Sequence, residues 1–219
     1  MFSAISINIE RLPFQLCNLG SFFILFSLIT KNKKLFNFTV IINVIGVLFA
    51  LVSPDLDGKG LFYLYNMHFI LEHSNVLVVP MLALLLNVFP RLDKKALCDC
   101  LLGFTIYFIC AWAVGTMFNA IALKTGNNFY AANYLFMFDS AKASKLLGDG
   151  ITKLFTSFKI GYARFYPIIQ LLIYIIFMSI CVLLWLAIQL IYKIKDKINK
   201  KKQPPINEST NTPQTQSEN

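Results

Sequence analysis

Residues 165–192 read FYPIIQLLIYIIFMSICVLLWLAIQLIY, a stretch without a charged side chain. A helix needs about 20 predominantly apolar residues to cross the hydrocarbon core of a membrane. Helices of soluble domains rarely stay apolar on all faces over such a length, because one face usually meets water. The stretch therefore predicts a membrane-spanning helix.

Four more segments have the same character and define the rest of the predicted bundle. They are residues 12–30, 35–52, 63–89 and 97–123. The whole chain is 57% hydrophobic and 14% charged, whereas a soluble domain averages about 25% charged residues. We therefore predict an all-α fold, a polytopic membrane helix bundle of about five transmembrane helices within residues 1–192.

The distribution of lysine and arginine predicts how this bundle is oriented. Positive charges follow the first segment, the third segment and the fifth: Lys31, Lys33, Lys34; Arg91, Lys94, Lys95; Lys193, Lys195, Lys197, Lys200, Lys201 and Lys202. Short cytoplasmic loops carry an excess of such charges. We expect a multi-pass protein of the cell membrane with its C-terminus in the cytoplasm. The net charge of +9 indicates contact with a membrane surface, and no nucleic-acid motif accompanies it.

Two segments outside the predicted spans have distinctive compositions. In the loop 124–164, apolar residues recur at helical spacing: Leu147, Ile151, Leu154, Phe155 and Phe158. This pattern suits a helix lying on the membrane surface, and a cap packed on the bundle is the alternative. The tail, 193–219, is basic and then polar, so we predict that it is disordered and that its lysines bind anionic lipid.

The cysteines do not indicate a disulfide framework or a metal site. There are five of them, and an odd number leaves one unpaired. Cys98 and Cys100 lie close together, but no second pair and no histidine accompanies them as in a zinc site. We predict neither a metal nor another cofactor, and the sequence leaves the oligomeric state open.

Several polar residues fall at one predicted membrane depth, near the outer ends of the spans. These are Cys17, Asp55, His68, Glu72, His73 and Asn119. Ionisable groups at the centre of a membrane helix cost roughly 2.5–3.5 kcal/mol on insertion scales, so they usually face a cavity or a partner. The sequence therefore predicts a polar pocket at the outer side, lined by residues far apart in the chain.

Cys17 and His73 are the residues of this set with the clearest chemistry. A thiolate is a nucleophile, and a nearby histidine can take its proton. An apolar setting alone disfavours the thiolate, so the hypothesis depends on contact between the two side chains. The alternative is that both residues only pack in the bundle.

Five short stretches resemble the YwaF-like family of bacterial integral membrane proteins. In chain order they are LPFQLCN at 12–18, LFNF at 35–38, LFALVSPD at 48–55, HFILEH at 68–73 and GNNFY at 126–130. That family is similar to the animal transmembrane protein 164-like acyltransferases, which move fatty acyl chains between phospholipids and have a cysteine as the proposed acyl acceptor. The resemblance implies that Cys17 is the acceptor and His73 the membrane histidine, with membrane phospholipids as partners. Gln15, Asn18 or Asn119 would then donate hydrogen bonds to the oxyanion.

The chain departs from this family pattern in two ways. It begins only eleven residues before the LPFQLC stretch, where relatives carry further hydrophobic segments, so either the bundle is reduced to five spans or the start is truncated. Gln15 stands where many relatives have histidine. A glutamine side chain is a hydrogen-bond donor or acceptor and does not replace a base.

Two other functions use the same residues differently. A transporter or substrate-binding membrane subunit would employ the outer polar cluster as a ligand site, with His73 and Asp55 as contacts or proton carriers. The chain shows no internal repeat of the kind common in transporters. An accessory membrane protein without chemistry would use its basic tail to recruit lipid or partners.

Overall fold

A computed structural model describes residues 15–52, 60 and 62–202, and these residues are almost entirely helical. Six α-helices occur in this part of the chain: α1 Leu16–Thr30, α2 Lys33–Val52, α3 Leu64–Leu85, α4 Lys94–Thr125, α5 Ser140–Leu147 and α6 Pro167–Lys202. A small antiparallel hairpin, β1 Phe158–Ile160 and β2 Ala163–Phe165, is the sheet found there. The all-α prediction is confirmed.

Three of the described helices are long and apolar enough to cross a membrane, judged by length and composition. They are Asn66–Leu85, Lys94–Thr125 and Pro167–Lys200, and α1 is a shorter apolar helix. Each lies within or over a predicted span, as does α2 with its 20 residues. The chain is therefore a membrane protein in which long apolar helices form a bundle.

Helix α2 lies at the centre of this bundle and contacts α1, α3, α4 and α6. Its side chains are buried on successive turns, as Phe36, Ile41, Ile42 and Ile45 illustrate. A helix surrounded by other helices has no face left for lipid or water, which explains why its sequence is apolar all round. The other long helices expose large apolar side chains on their outer faces.

The segment between α4 and α6 is a cap that packs into the bundle. Its residues Tyr134, Met137 and Ala143 are fully buried in the same apolar cluster as α2 and α4. The amphipathic stretch of the sequence is not one helix, because α5 ends at Leu147 and Gly148 has a φ of 88°. A 3-10 helix, Asp149–Leu154, and the hairpin follow. Glycine reaches this φ without the steric cost of a side chain, so the chain turns there.

The opposite end of the bundle is held by contacts between the α3–α4 turn and α6. The Arg91 guanidinium makes two hydrogen bonds to the Asp196 carboxylate, at 2.9 and 3.0 Å. Trp185 Nε1 donates to the Asp93 carbonyl at 2.9 Å, and Gln189 Nε2 donates to the Leu92 carbonyl. These contacts fix the inner end of α6 against α4.

Helix α6 continues beyond the predicted span end at residue 192 and runs to Lys202. The expectation of disorder from residue 193 onward is therefore wrong for residues 193–202. Lysine is a good helix former, so the apolar helix can continue into the lysine-rich residues that follow it. The ion pair between Arg91 and Asp196 stabilises this part of α6. Residues 203–219, the rest of the predicted tail, lie outside the described residues.

Candidate functional site

Cys17 lies in the first turn of α1, where four helices approach one another. Its Sγ packs on Gly46 of α2, 3.3 Å from the position that a Cβ on Gly46 would take. The side chain is half-buried. Glu72 of α3 and Tyr107 of α4 lie within electrostatic reach of the thiol. The sulfur therefore lies on the contact between α1 and α2, in the first turn of α1.

One turn further along the α1–α2 contact, Gly20 faces Asn43. A Cβ on Gly20 would clash with the Asn43 amide, so the two helices approach at a distance that only glycine permits. Asn43 is fully buried, and among the described residues neither its Nδ2 nor its Oδ1 has a hydrogen-bond partner. Buried polar groups are nearly always paired. Asn43 is thus an unusual residue beside the thiol.

On the other side of α1, a surface groove separates it from α3. The groove has a volume of ≈ 360 Å³ and is lined by Asn18, Ser21, Phe22, His68, Leu71, Glu72 and Asn75. With the amide oriented to satisfy both groups, Asn18 Nδ2 donates to Glu72 at 2.7 Å from Oε1 and 3.2 Å from Oε2. His68 Nδ1 lies 3.9 Å from Glu72 Oε2. Three residues predicted for the site, Asn18, His68 and Glu72, are therefore brought together.

His73 is buried on a different face of α3 from this groove. Its Nδ1 lies 2.7 Å from the Phe69 carbonyl oxygen, and the two rings pack with centroids 4.1 Å apart. Because a carbonyl only accepts hydrogen bonds, Nδ1 carries the proton in this contact and Nε2 is the acceptor of the neutral ring. The histidine therefore holds a fixed orientation and tautomer.

Cys17 and His73 share no hydrogen bond in the described part of the chain. The charged side chain within electrostatic reach of the thiol is Glu72 and not His73. Apo structures often lack the hydrogen bonds that form when substrate binds. A proton transfer between Cys17 and His73 needs a bridging water, a bound hydroxyl or a small helix shift.

The remaining predicted residues have separate positions. Gln15 precedes α1 as its N-cap, where its carbonyl accepts from Leu19 N at 3.0 Å and its side chain makes no capping bond. Both amide hydrogens of Asn119 are used, since Nδ2 donates at 2.8 Å to the carbonyls of Gly115 and Ala132. Asp55 lies outside the described residues.

The structure adds one residue to the site that the sequence did not single out. Asn43 stands in the apolar run IINVIG at 41–46, and a lone asparagine inside a span is the signal that points to it. Its place beside α1 depends on how the helices pack. Within the described residues, no group of three or more His, Cys, Asp or Glu side chains is arranged to hold a metal ion.

Comparison with known proteins agrees with the membrane architecture. No curated protein sequence and no solved structure matches the chain. A family model, described as the TMEM164 family, matches residues 3–188. This match spans Cys17, Asn43, Glu72 and His73 together with α1 to α5 and most of α6. The chain belongs to the TMEM164 family.

Proposed function

We propose that this protein is a cysteine-dependent acyltransferase that moves fatty acyl chains between phospholipids, with Cys17 as the acyl acceptor. The observation that carries the proposal is the position of Cys17, half-buried where α1, α2, α3 and α4 meet. Packing of the thiol against α2 would limit its contact with bulk water, which hydrolyses thioesters. Family membership supports the same assignment.

The first half-reaction transfers the acyl group to the enzyme. The thiol proton passes to His73 through a bridging water or lipid hydroxyl, the sulfur attacks the ester carbonyl carbon, and a carbon–sulfur bond forms. The ester carbon–oxygen bond then breaks, and the departing glycerol oxygen takes the proton from the imidazolium. The products are an acyl-Cys17 thioester and a lysophospholipid.

The second half-reaction returns the acyl group to another lipid. His73 takes the proton of an acceptor hydroxyl, whose oxygen attacks the thioester carbonyl. The carbon–sulfur bond breaks and the sulfur recovers a proton from the imidazolium. The fixed tautomer of His73, with Nδ1–H on the Phe69 carbonyl, leaves Nε2 available for both transfers.

The groove between α1 and α3 supports a lateral route for these lipids. It opens on the surface of the bundle and carries polar side chains at a depth where a glycerol backbone needs hydrogen-bond partners. The basic end of α6, which holds the lysines of the predicted tail, would bind anionic lipid on the cytoplasmic side. In this arrangement the C-terminus is cytoplasmic.

The test is acyl exchange between a labelled phospholipid and a lysophospholipid, catalysed by the purified full chain in lipid vesicles. Cys17→Ser should lower the rate by at least about 10³-fold, because a serine hydroxyl ionises far less readily than a thiol and is a much weaker nucleophile. Cys110→Ser is the matched control, since Cys110 is exposed on the outer face of α4. Equal exchange by wild type and Cys17→Ser would contradict the proposal.

A second function, ligand binding or transport, is favoured by one observation. Glu72, Asn18 and His68 form a polar cluster around a groove on the membrane face, and such groups usually mark a ligand or ion path. A binding or transport protein would keep its activity in Cys17→Ser and lose it in Glu72→Gln. Acyl exchange that is lost in Cys17→Ser would support the transferase. No exchange in wild type, with lipid binding that is kept in Cys17→Ser and lost in Glu72→Gln, would support binding or transport.

A further inference from the structure

Asn43 is a buried polar residue whose hydrogen-bonding groups have no partner among the described residues, as expected of a residue that binds a ligand. Its side chain is fully buried, and within the part of the chain that the structure describes both polar atoms of the amide lack a hydrogen-bond partner. Natural proteins rarely leave a complete side-chain amide unpaired, because both its donor and its acceptor then lose the hydrogen bonds that water would provide. Such a group is explained when a substrate or a reaction intermediate supplies the missing partner.

The position of Asn43 relative to Cys17 follows from two glycine contacts. Helices α1 and α2 are antiparallel neighbours, with Cys17 over Gly46 and Gly20 over Asn43. Cys17 and Gly20 are three residues apart, as are Asn43 and Gly46, so each pair shares one helix face. We call this line of contact between α1 and α2, formed by Cys17, Gly20, Asn43 and Gly46, the α1–α2 seam. Along it the amide lies about one helical turn, roughly 5 Å, from the thiol.

Two of the three other amides considered for this role are already occupied, and the third, Gln15, precedes α1 as its N-cap. Asn119 uses both of its amide hydrogens on the carbonyls of Gly115 and Ala132. Asn18 Nδ2 donates to the two oxygens of Glu72. The unpaired donor on the α1–α2 seam is Asn43 Nδ2, and apolar side chains of both helices surround it.

We propose that Asn43 is the oxyanion donor of the Cys17 acyl-transfer reaction, a role that rests on the function proposed above. When the sulfur attacks an ester carbonyl, the carbonyl oxygen becomes negative and Asn43 Nδ2 donates a hydrogen bond to it. The bond strengthens as the charge develops, so it stabilises the transition state more than the bound lipid. When the carbon–oxygen bond breaks, the carbonyl re-forms and the hydrogen bond weakens.

The test compares Asn43→Val with Asn43→Thr, two side chains of equal shape of which only threonine keeps a donor. Both side chains have one non-hydrogen atom fewer than asparagine and end at the γ position, so they reach less far toward Gly20. Single-turnover acylation of Cys17 by phospholipid should fall about 10²- to 10³-fold in Asn43→Val, and Asn43→Thr should recover part of that loss. Alkylation of Cys17 by iodoacetamide, which forms no oxyanion, should proceed at the wild-type rate in both.

A matched control removes another buried polar atom away from the thiol. Thr116 Oγ1 in α4 is also buried without a partner, and Thr116→Val should acylate at the wild-type rate. Equal acylation of wild type, Asn43→Val and Asn43→Thr would overturn the proposal for Asn43 while leaving Cys17 as acceptor. A parallel fall in alkylation would also overturn it, because Asn43 would then only shape the seam. Absence of acylation in wild type would instead refute the transferase function itself.

Discussion

The residues that matter most for this site are small ones that let two helices touch. Because Gly46 has no side chain, the Cys17 thiol can pack against α2, and because Gly20 has none, the Asn43 amide can pack against α1. A larger side chain at either position would separate the helices and move the thiol away from the amide. The geometry of the proposed reaction therefore depends on residues that have no chemistry of their own.

Gly20→Ala tests this close approach. The added methyl group would clash with the buried Asn43 amide, and overpacking of this kind costs typically about 1–3 kcal/mol. We expect a lower melting temperature in detergent and slower acylation of Cys17. Gly150→Ala is the matched control, because nothing lies within 4 Å of a Cβ at Gly150. Equal melting temperatures for the two variants would contradict the packing described for the seam.

Part of the site was predictable from the sequence and part was not. His68 and Glu72 are four apart on one helix, so their proximity follows from helical spacing, and the resemblance pointed to Cys17. The pairing of Asn18 with Glu72 and the approach of Asn43 to α1 depend on how helices pack, which a single sequence does not encode locally. Cys17 and His73 share no hydrogen bond among the described residues, and His73 Nδ1 contacts the Phe69 carbonyl of its own helix.

Among the elements, α4 and the cap that follows it decide what covers the site. The 32 residues of α4 extend well past the start of α1, and its outer part carries the cap. The cap's Tyr134 is fully buried. It lies near Tyr107 of α4, which in turn lies near Cys17. The spans could be predicted from the length of their apolar stretches. The packing of the cap could not, because it depends on tertiary contacts that the composition of a loop does not reveal.

Asn119→Ala tests how the cap is held. The variant removes the hydrogen bonds of the amide to Gly115 and Ala132, each worth about 0.5–1.5 kcal/mol. We expect faster proteolysis within residues 127–165 and a lower melting temperature. Asn128→Ala, at an exposed neighbouring position, should behave like wild type. A cap as protease-resistant in Asn119→Ala as in wild type would show that other contacts hold it.

For the whole molecule, the proposal requires one orientation in the membrane. Positive charge gathers at the C-terminal ends of α1, α3 and α6, and the predicted orientation places these ends in the cytoplasm and the cap outside. The Arg91–Asp196 pair and the basic end of α6 would then lie together on the cytoplasmic side. The start of α1, with Cys17, would lie toward the outer leaflet.

Thiol labelling in intact cells tests this orientation. Variants with a single cysteine, either the native exposed Cys98 or Ser157→Cys in the cap, provide one probe on each side. A membrane-impermeant maleimide should label Ser157→Cys in intact cells and Cys98 only after the cells are opened. The reverse pattern would place the cap in the cytoplasm and the proposed site in the other leaflet.

The central claim, that Cys17 carries an acyl group between lipids, is tested most directly by the mass of the intact protein. The purified protein is mixed with a phospholipid of defined acyl chain, the reaction is quenched in acid, and the mass of the intact protein is measured by mass spectrometry. We predict an added mass of one acyl chain that hydroxylamine removes, present in wild type and Cys110→Ser and absent in Cys17→Ser. No added mass in wild type, or the same added mass in Cys17→Ser, would contradict the account.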